Sequence, residues 1–163
     1  MRMTQKAVLV DIDNCYMDSR ELIAKYNGDW EAFAKNIPNL SVPNRPFIDG
    51  LIELIKVVNI VPIFTTGRED KGDVLSDSIK QIDEGSNGVF VVGKTCFLML
   101  REKNDFRKGV LVKKDMLDAI RTHYDPIVAI DDDMDICQMY VENGIPKVFH
   151  YNIESNEFQE ISA

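Results

Sequence analysis

The chain has no apolar run approaching the ~20 residues that a membrane-spanning helix needs, and no internal repeat or low-complexity tract. Its opening, "MRMTQKAVLV", turns into a strand pattern too soon to serve as a secretion signal. A cytoplasmic protein is expected. Only three cysteines are present, Cys15, Cys96 and Cys137, with no CxxC spacing. That excludes a disulfide framework and leaves reduced thiols. Two histidines, His123 and His150, give little material for a structural zinc site or a His-based triad. Basic residues are also in the minority, 19 Lys and Arg against 27 Asp and Glu, for a net charge of −8. Such a balance argues against a broad nucleic-acid-coating surface, while a small basic pocket stays possible.

What remains is an ordinary globular composition, 45% hydrophobic and 28% charged, in 163 residues. That length suits one domain with its own core, spanning residues 1–163. Short apolar runs at 7–10 ("AVLV"), 60–64 ("IVPIF"), 97–100 ("FLML") and 127–130 ("IVAI") read as strands buried on both faces. "KVFHY" (147–151) is a further strand, and "GVFVV" (88–92) is a strand or one arm of a hairpin. Pro62 breaks the strand rule and predicts a bulge or an unpaired position.

Helical spacing links Ile48, Leu51, Ile52 and Ile55, then Leu75, Ile79 and Ile82, then Met116, Leu117, Ile120 and Tyr124. A last helix begins with Ile136, Met139 and Tyr140 and is ended by Asn143-Gly144. Alternating strands and helices predict an α/β fold, a three-layer Rossmann-like parallel sheet with helices on both faces. Residues 16–45 fall outside the alternation. Leu22, Ile23 and Tyr26 suggest one short helix, Trp30, Phe33 and Ala34 another, and "IPNLSVPNRP" a returning loop. This reads as a small helical cap insert, a lid rather than a second domain.

Ligands of open α/β sheets bind beyond the carboxyl ends of the strands. Asp11 and Asp13 follow the first strand, "TTGR" (65–68) the second and "DDD" (131–133) a later one, while Lys113 and Lys114 precede a helix leading back to the sheet. Taken singly, DxD and TTGR are as readily loop turns as parts of a site, and DDD as readily a helix cap. Their coincidence at matching strand ends is what points to a site. Crowded carboxylates with nearby hydroxyls and a guanidinium suit Mg²⁺ and a phosphate group. An aspartate there has the chemistry of a phosphoryl-accepting nucleophile.

"VDIDNC", "TTGR", a lysine before a helix and "IDDD" resemble the four ordered motifs of the haloacid dehalogenase superfamily. The stretch from "LMLREKNDFRKGVLVKKD" to "IDDDMDICQMYVENGIP" is similar to the 3′-phosphatase domain of phage polynucleotide kinase-phosphatases. The resemblance implies a Mg²⁺-dependent phosphomonoesterase in a bacterial cell or phage-infected host, acting on a nucleotide or a short nucleic-acid 3′ end. It makes Asp11 the nucleophile and a metal ligand, and Asp13 the general acid/base with its backbone carbonyl on the metal. Thr66, Gly67 and Lys113 would hold the phosphoryl group, Arg68 would bind phosphate nearby, and Arg101 belongs to the phosphatase pocket. Asp132 is the favoured metal ligand, with Asp131 beside it. The chain departs from the pattern at Asn14-Cys15, where the family has Gly-Thr, and at Gly109, where those phosphatases carry an acid. Asn tolerates the left-handed backbone that glycine would supply. No P-loop GxxxxGK[ST] is present, so the likeness is to the phosphatase half. A 5′-nucleotidase of the nucleotide pool, a non-catalytic phosphate-binding module and a phosphoacceptor receiver domain are the competing readings. Trp30 and Phe33 either stack on a nucleobase or pack the insert onto the core; Arg107 and Lys108 either touch a phosphate backbone or form a solvated turn.

Overall fold

The structure, a computed structural model, describes residues 4–163. In chain order it runs β1 (Gln5–Val10), β2 (Met17–Asp18), α1 (Arg20–Tyr26), α2 (Trp30–Leu40), β3 (Val42–Pro43), α3 (Arg45–Val57), β4 (Val61–Glu69) and α4 (Val74–Gly85). Then come β5 (Phe97–Arg101), α5 (Gly109–Ile120), β6 (Tyr124–Asp131), α6 (Met134–Glu142), β7 (Lys147–Asn152) and β8 (Glu157–Ile161). The main sheet has six strands in the order β5-β4-β1-β6-β7-β8. All pairings are parallel except that of β8 with β7. The expected α/β sheet with helices on both faces is therefore present.

Strand β1 lies inside the sheet because its last four residues, Ala7 to Val10, are buried on alternating faces. Ala7 and Leu9 meet Ile63, Ala129 and Val148 under α5 and α6. Val8 and Val10 meet Phe64 and Ile130 on the other face, under α3. Strand order reverses at β1: the chain moves to β4 and β5 on one side, then returns to β6 on the other. The crevice beyond β1, β4 and β6 is thus the place where this class of sheet binds ligands.

Several local expectations change. Residues 88–92 form no strand; Phe90 instead drops its ring into the core beside Tyr16 and Phe64, at 6.3 and 6.1 Å between centroids. The loop expected over 37–46 is mostly ordered. Helix α2 runs on through Pro38, and Val42–Pro43 pair antiparallel with Met17–Asp18. Pro38 has no N–H for the carbonyl one turn back, yet Ser41 N–H still reaches the Ile37 carbonyl at 3.2 Å. Tyr16 and Met17, assigned to the insert, belong to the core instead. Tyr16 O–H donates to the Ile82 carbonyl at 2.6 Å.

Helix α4 buries Val74, Ser78, Ile82 and Gly85, whereas Leu75 and Ile79 face outward. Tyr124 starts β6 instead of extending α5. Pro62 pairs with Val8 in register, and β5 joins β4 only from Ile63, so the proline lies where β5 gives no ladder. The ladder breaks elsewhere: between Thr65 and Glu69, β4 advances four residues against two of β5. Strand β8 was not anticipated. It is exposed along nearly its whole length, so its sequence, "EFQEI", lacks an alternating apolar face.

Between β2 and β3 lie α1 and α2. Leu22, Phe33 and Ile37 close a small core of their own with Val74 of α4. Asn44 fixes the exit of this unit: its Nδ2 donates to the Cys15 carbonyl at 2.8 Å and to the Tyr151 hydroxyl at 2.9 Å. Among the described residues no helix is long and apolar enough to cross a membrane.

Candidate active site

Asp11 is the first residue past β1, and its N–H is held by the Ile130 carbonyl of β6 at 3.1 Å. Lys113, from the second turn of α5, crosses underneath. Its Nζ lies 2.8 Å from Asp11 Oδ1 and 2.5 Å from Asp131 Oδ2. All three side chains are almost wholly buried. Burial works against the ammonium charge, but the flanking carboxylates more than offset it and hold the Lys113 pKa above its usual range. Burial pushes the Asp11 carboxyl well up, against the pull of Lys113. Asp131 is pushed up to about 6 by burial and by the Asp11 charge. Its other oxygen accepts from the Asp133 N–H at 3.0 Å. Asp131 therefore serves Lys113 and its own turn.

Asp132, the next residue, also comes close to Asp11. Its carboxyl is also pushed up to about 6, chiefly by burial, with Asp131 adding to the shift. One carboxylate oxygen each from Asp11 and Asp132, with the Cys15 sulfur, lie within 4.8 Å of one another. Two neighbouring carboxylates, each with its pKa raised chiefly by burial, form a place where a divalent cation would replace protons. The donors fit a hard ion: Mg²⁺ takes carboxylate oxygens, while burial keeps the Cys15 thiol protonated. Sequence reasoning missed the closeness of Cys15, because its place near Asp11 and Asp132 follows from the turn at Asn14. That residue has φ 61°, the left-handed backbone expected for it from the sequence.

Asp13 is held from a different quarter. Arg68 grips both its oxygens, Nε to Oδ2 at 3.0 Å and Nη2 to Oδ1 at 2.7 Å, and Ser19 Oγ donates to Oδ1 at 2.6 Å. Burial alone would raise this carboxyl; the Arg68 charge and hydrogen bonds, with Ser19, outweigh it and hold the pKa below the usual range. The remaining Arg68 donors go to Ser78 (2.9 Å), Gln81 (2.8 Å) and Ser41 (3.2 Å). Gln81 Nε2 in turn donates to the Ile37 carbonyl at the end of α2, at 3.1 Å. Ser19, Ser41 and Gln81 were not anticipated. Single polar residues scattered over a cap and a helix leave no motif to read.

"TTGR" is part of β4 rather than a turn after it, and it occupies the break in the β4–β5 ladder. The extra residues turn Thr66 and Arg68 inward and leave Gly67 exposed. Thr66 Oγ1 accepts from the Arg68 N–H at 3.1 Å. Arg101 binds backbone: Nε donates to the Gly67 carbonyl at 3.0 Å, and Nη1 to the Asp105 and Arg107 carbonyls at 3.0 and 2.6 Å. Arg107 pairs with Asp105 and Asp115, both at 2.8 Å. Lys114, expected to share the site with Lys113, pairs with Asp118 on the exposed side of α5.

Asp11, Asp13, Lys113, Asp131 and Asp132 thus line one cavity of about 460 Å³, with Gly67, Arg68 and Arg101 around it. Its outer wall comes from α1 and α2, including Ile23, Trp30 and Phe33.

No curated protein matches the chain. In a structure of the Pnkp1/Rnl/Hen1 RNA repair complex, one chain superposes with a TM-score of 0.69 and 22% identity, over 91% of this chain and 43% of its own length. A second structure of the Pnkp1/Rnl/Hen1 complex gives a TM-score of 0.69 and 21% identity, over 93% of this chain and 47% of that one. The chain spans under half the length of these neighbours, whose likeness is one of fold. The family model described as the polynucleotide kinase PNKP phosphatase domain matches residues 5–155. The chain therefore belongs to the PNKP phosphatase-domain family and is a phosphatase of the haloacid dehalogenase type.

Proposed function

We propose that this phosphatase is a Mg²⁺-dependent phosphomonoesterase that removes a 3′-phosphate from a nucleotide or nucleic-acid end through an aspartyl-phosphate. The observation that carries the reading is the division of labour between two aspartates two residues apart. Asp11 is tied to Lys113 through one oxygen, while Asp13 is turned away onto Arg68. The contact of Asp11 with a cation suits a nucleophile, and the second carboxylate, held apart, is in reach of the same cavity.

Asp13 takes a proton from solvent as its hold on Arg68 loosens; Asp11 attacks phosphorus, and the bond from phosphorus to the ribose oxygen breaks as Asp13 delivers that proton to the oxygen. Water then gives a proton back to Asp13 and attacks the same phosphorus. The bond to Asp11 breaks, releasing inorganic phosphate and the free carboxylate. Lys113 steadies the nucleophile and the charge that spreads over the transferring oxygens, and Thr66 and Gly67 close the phosphate side. Asp11, Asp132 and the Asp13 carbonyl would hold Mg²⁺, which supplies charge neutralisation when bound. Asp131, both of whose oxygens are engaged, supports Lys113.

The nucleic-acid end is favoured by the family and by neighbours from an RNA repair complex. The acidic net charge of −8 predicts few phosphate contacts and a shallow salt dependence. The test is kcat/KM on 3′-phosphorylated oligonucleotides, 3′-nucleotides and 5′-nucleotides with Mg²⁺, beside Asp11→Asn. Preference for the 3′-phosphates and loss of turnover in the variant are expected. Strong preference for one 5′-nucleotide would make the protein a nucleotide-pool phosphatase; full activity of Asp11→Asn would remove the covalent step.

A further inference from the structure

The cavity floor is polar, but its rim carries two exposed aromatic rings from separate parts of the chain. Trp30 opens α2 on the cap and is 55% exposed; Phe106 lies between β5 and α5 and is 79% exposed. Both line the cavity that holds Asp11 and Lys113.

Neither ring hangs on a loose support. Phe33, itself buried, meets Trp30 edge-on at 5.6 Å between centroids and an interplanar angle of 66°. The backbone on each side of Phe106 is pinned by one guanidinium, since Arg101 Nη1 donates to both the Asp105 and the Arg107 carbonyls. The same Arg101 holds the Gly67 carbonyl at the phosphate side. The charged neighbours of Phe106 are occupied with each other through the Arg107–Asp105 pair. Its ring is left as the one apolar group this loop offers to the cavity mouth.

A floor built for a phosphate, an apolar rim and a volume of about 460 Å³ suit a ligand of nucleotide size with a planar face at one end. Aromatic rings hold unpaired bases by stacking, which tolerates any base.

We infer that Trp30 and Phe106 form a base-stacking subsite that grips the terminal nucleobase of the phosphorylated substrate from the cap side and the core side. The inference rests on the nucleotide-directed reading above and deepens it: recognition is of a base attached to the phosphate, without demand for which base. Arg101 acts as a positioning residue here, joining the base rim to the phosphate end through the backbone it holds.

Trp30 is the chain's single tryptophan, so its fluorescence reports the subsite without turnover. Asp11→Asn protein with Mg²⁺ is titrated with a phosphorylated mononucleotide, in 3′ and 5′ forms, and with the matching abasic sugar phosphate. Quenching by the base-bearing ligands and none by the abasic one is expected. In otherwise wild-type protein, Trp30→Ala and Phe106→Ala should each lower kcat/KM on base-bearing substrate by ~10-fold or more, the scale of one lost stack. Turnover of the abasic substrate should stay unchanged, and Trp30→Phe should keep most of the activity. Equal quenching by abasic and base-bearing ligands, or equal losses on both substrates, would overturn the subsite. Failure of the 3′ assignment is separate: it shows as turnover of 5′-phosphates alone, whereas the quenching depends only on the base.

Discussion

Arg68 meets Asp13 fork to fork, with Nε 3.0 Å from one carboxylate oxygen and Nη2 2.7 Å from the other. Together with Ser19 this keeps Asp13 ionised, the state needed by a base that activates water. To act as an acid Asp13 must carry a proton, and a protonated carboxyl grips a guanidinium less strongly. Gaining the proton and loosening the fork are therefore one event. The side-chain bonds of Arg68 all go to protein groups, Asp13 first among them.

Replacing the fork by a point charge tests this. Arg68→Lys loses the two-pronged geometry and leaves Ser41, Ser78 and Gln81 short of a partner. It should lower kcat by ~10-fold or more while Mg²⁺ affinity changes little, because orientation of the acid/base is what fails. Kinetics alongside Mg²⁺ titration decide it. An unchanged kcat with a raised KM would return Arg68 to a direct phosphate role.

Asp13→Asn keeps the shape and the backbone carbonyl but removes the exchangeable proton. Turnover should fall by ~10²–10⁴-fold, the range for a lost general acid/base. The loss should be smallest on esters with acidic leaving groups, which depart without a proton. Rates across a series of aryl and alkyl phosphates check this, and a uniform loss would take the acid role from Asp13.

Lys113 neutralises two buried carboxylates. In Lys113→Met the volume is nearly kept, but Asp11 and Asp131 are left unpaired. Breaking a buried ion pair from one side costs about 3–5 kcal/mol, so the metal-free variant should unfold at much lower urea than wild type. Added Mg²⁺ should restore part of the difference by replacing one positive charge with another. A variant as stable as wild type without metal would mean that these acids are neutral in the folded protein.

The same acids set a pH dependence. Asp131 and Asp132 have carboxyls pushed up to about 6, against ~3.9 in an unfolded chain. Between those values the folded state binds more protons, so its stability rises as pH falls through about 6 and the gain is complete near pH 4. Metal-free protein should therefore melt higher at about pH 5 than at about pH 7.5. Mg²⁺ should stabilise most above pH 6, where it has no protons to displace. Thermal melts with EDTA or Mg²⁺ at both pH values measure it. Equal metal stabilisation at both would argue against a carboxylate cation site.

The polar ends of β1 and β6 were legible because a strand buried on both faces shows as an unbroken apolar run, and the acids that follow stand out. Position along the chain then placed Asp11, Asp13, Lys113, Asp131 and Asp132 around one crevice. "TTGR" was visible as chemistry but set beyond the end of the strand, since a break in a parallel ladder leaves no distinctive local pattern. On α4 the larger apolar residues, Leu75 and Ile79, drew the period, yet the buried face includes Ser78, which sits there to bind Arg68. Phe90 and Phe106 look alike in sequence. One fills the core and the other projects from the cavity rim, a difference decided by hydrogen bonds of loops that no local pattern reveals.

The two-stranded ribbon of Met17–Asp18 with Val42–Pro43 brings the chain into the cap and out again at neighbouring points. Whatever lies between can be exchanged without altering the path of the sheet, so the fold admits other caps, and with them other substrates, over one unchanged chemical centre. The limits of such an exchange are set by Ser19 and Ser41. They lie just inside the ribbon and bond to each other at 2.8 Å, one also to Asp13 and the other to Arg68. A transplant joined outside those serines would carry away part of the acid/base support, whereas one joined inside them would change what is recognised and leave how it is hydrolysed intact.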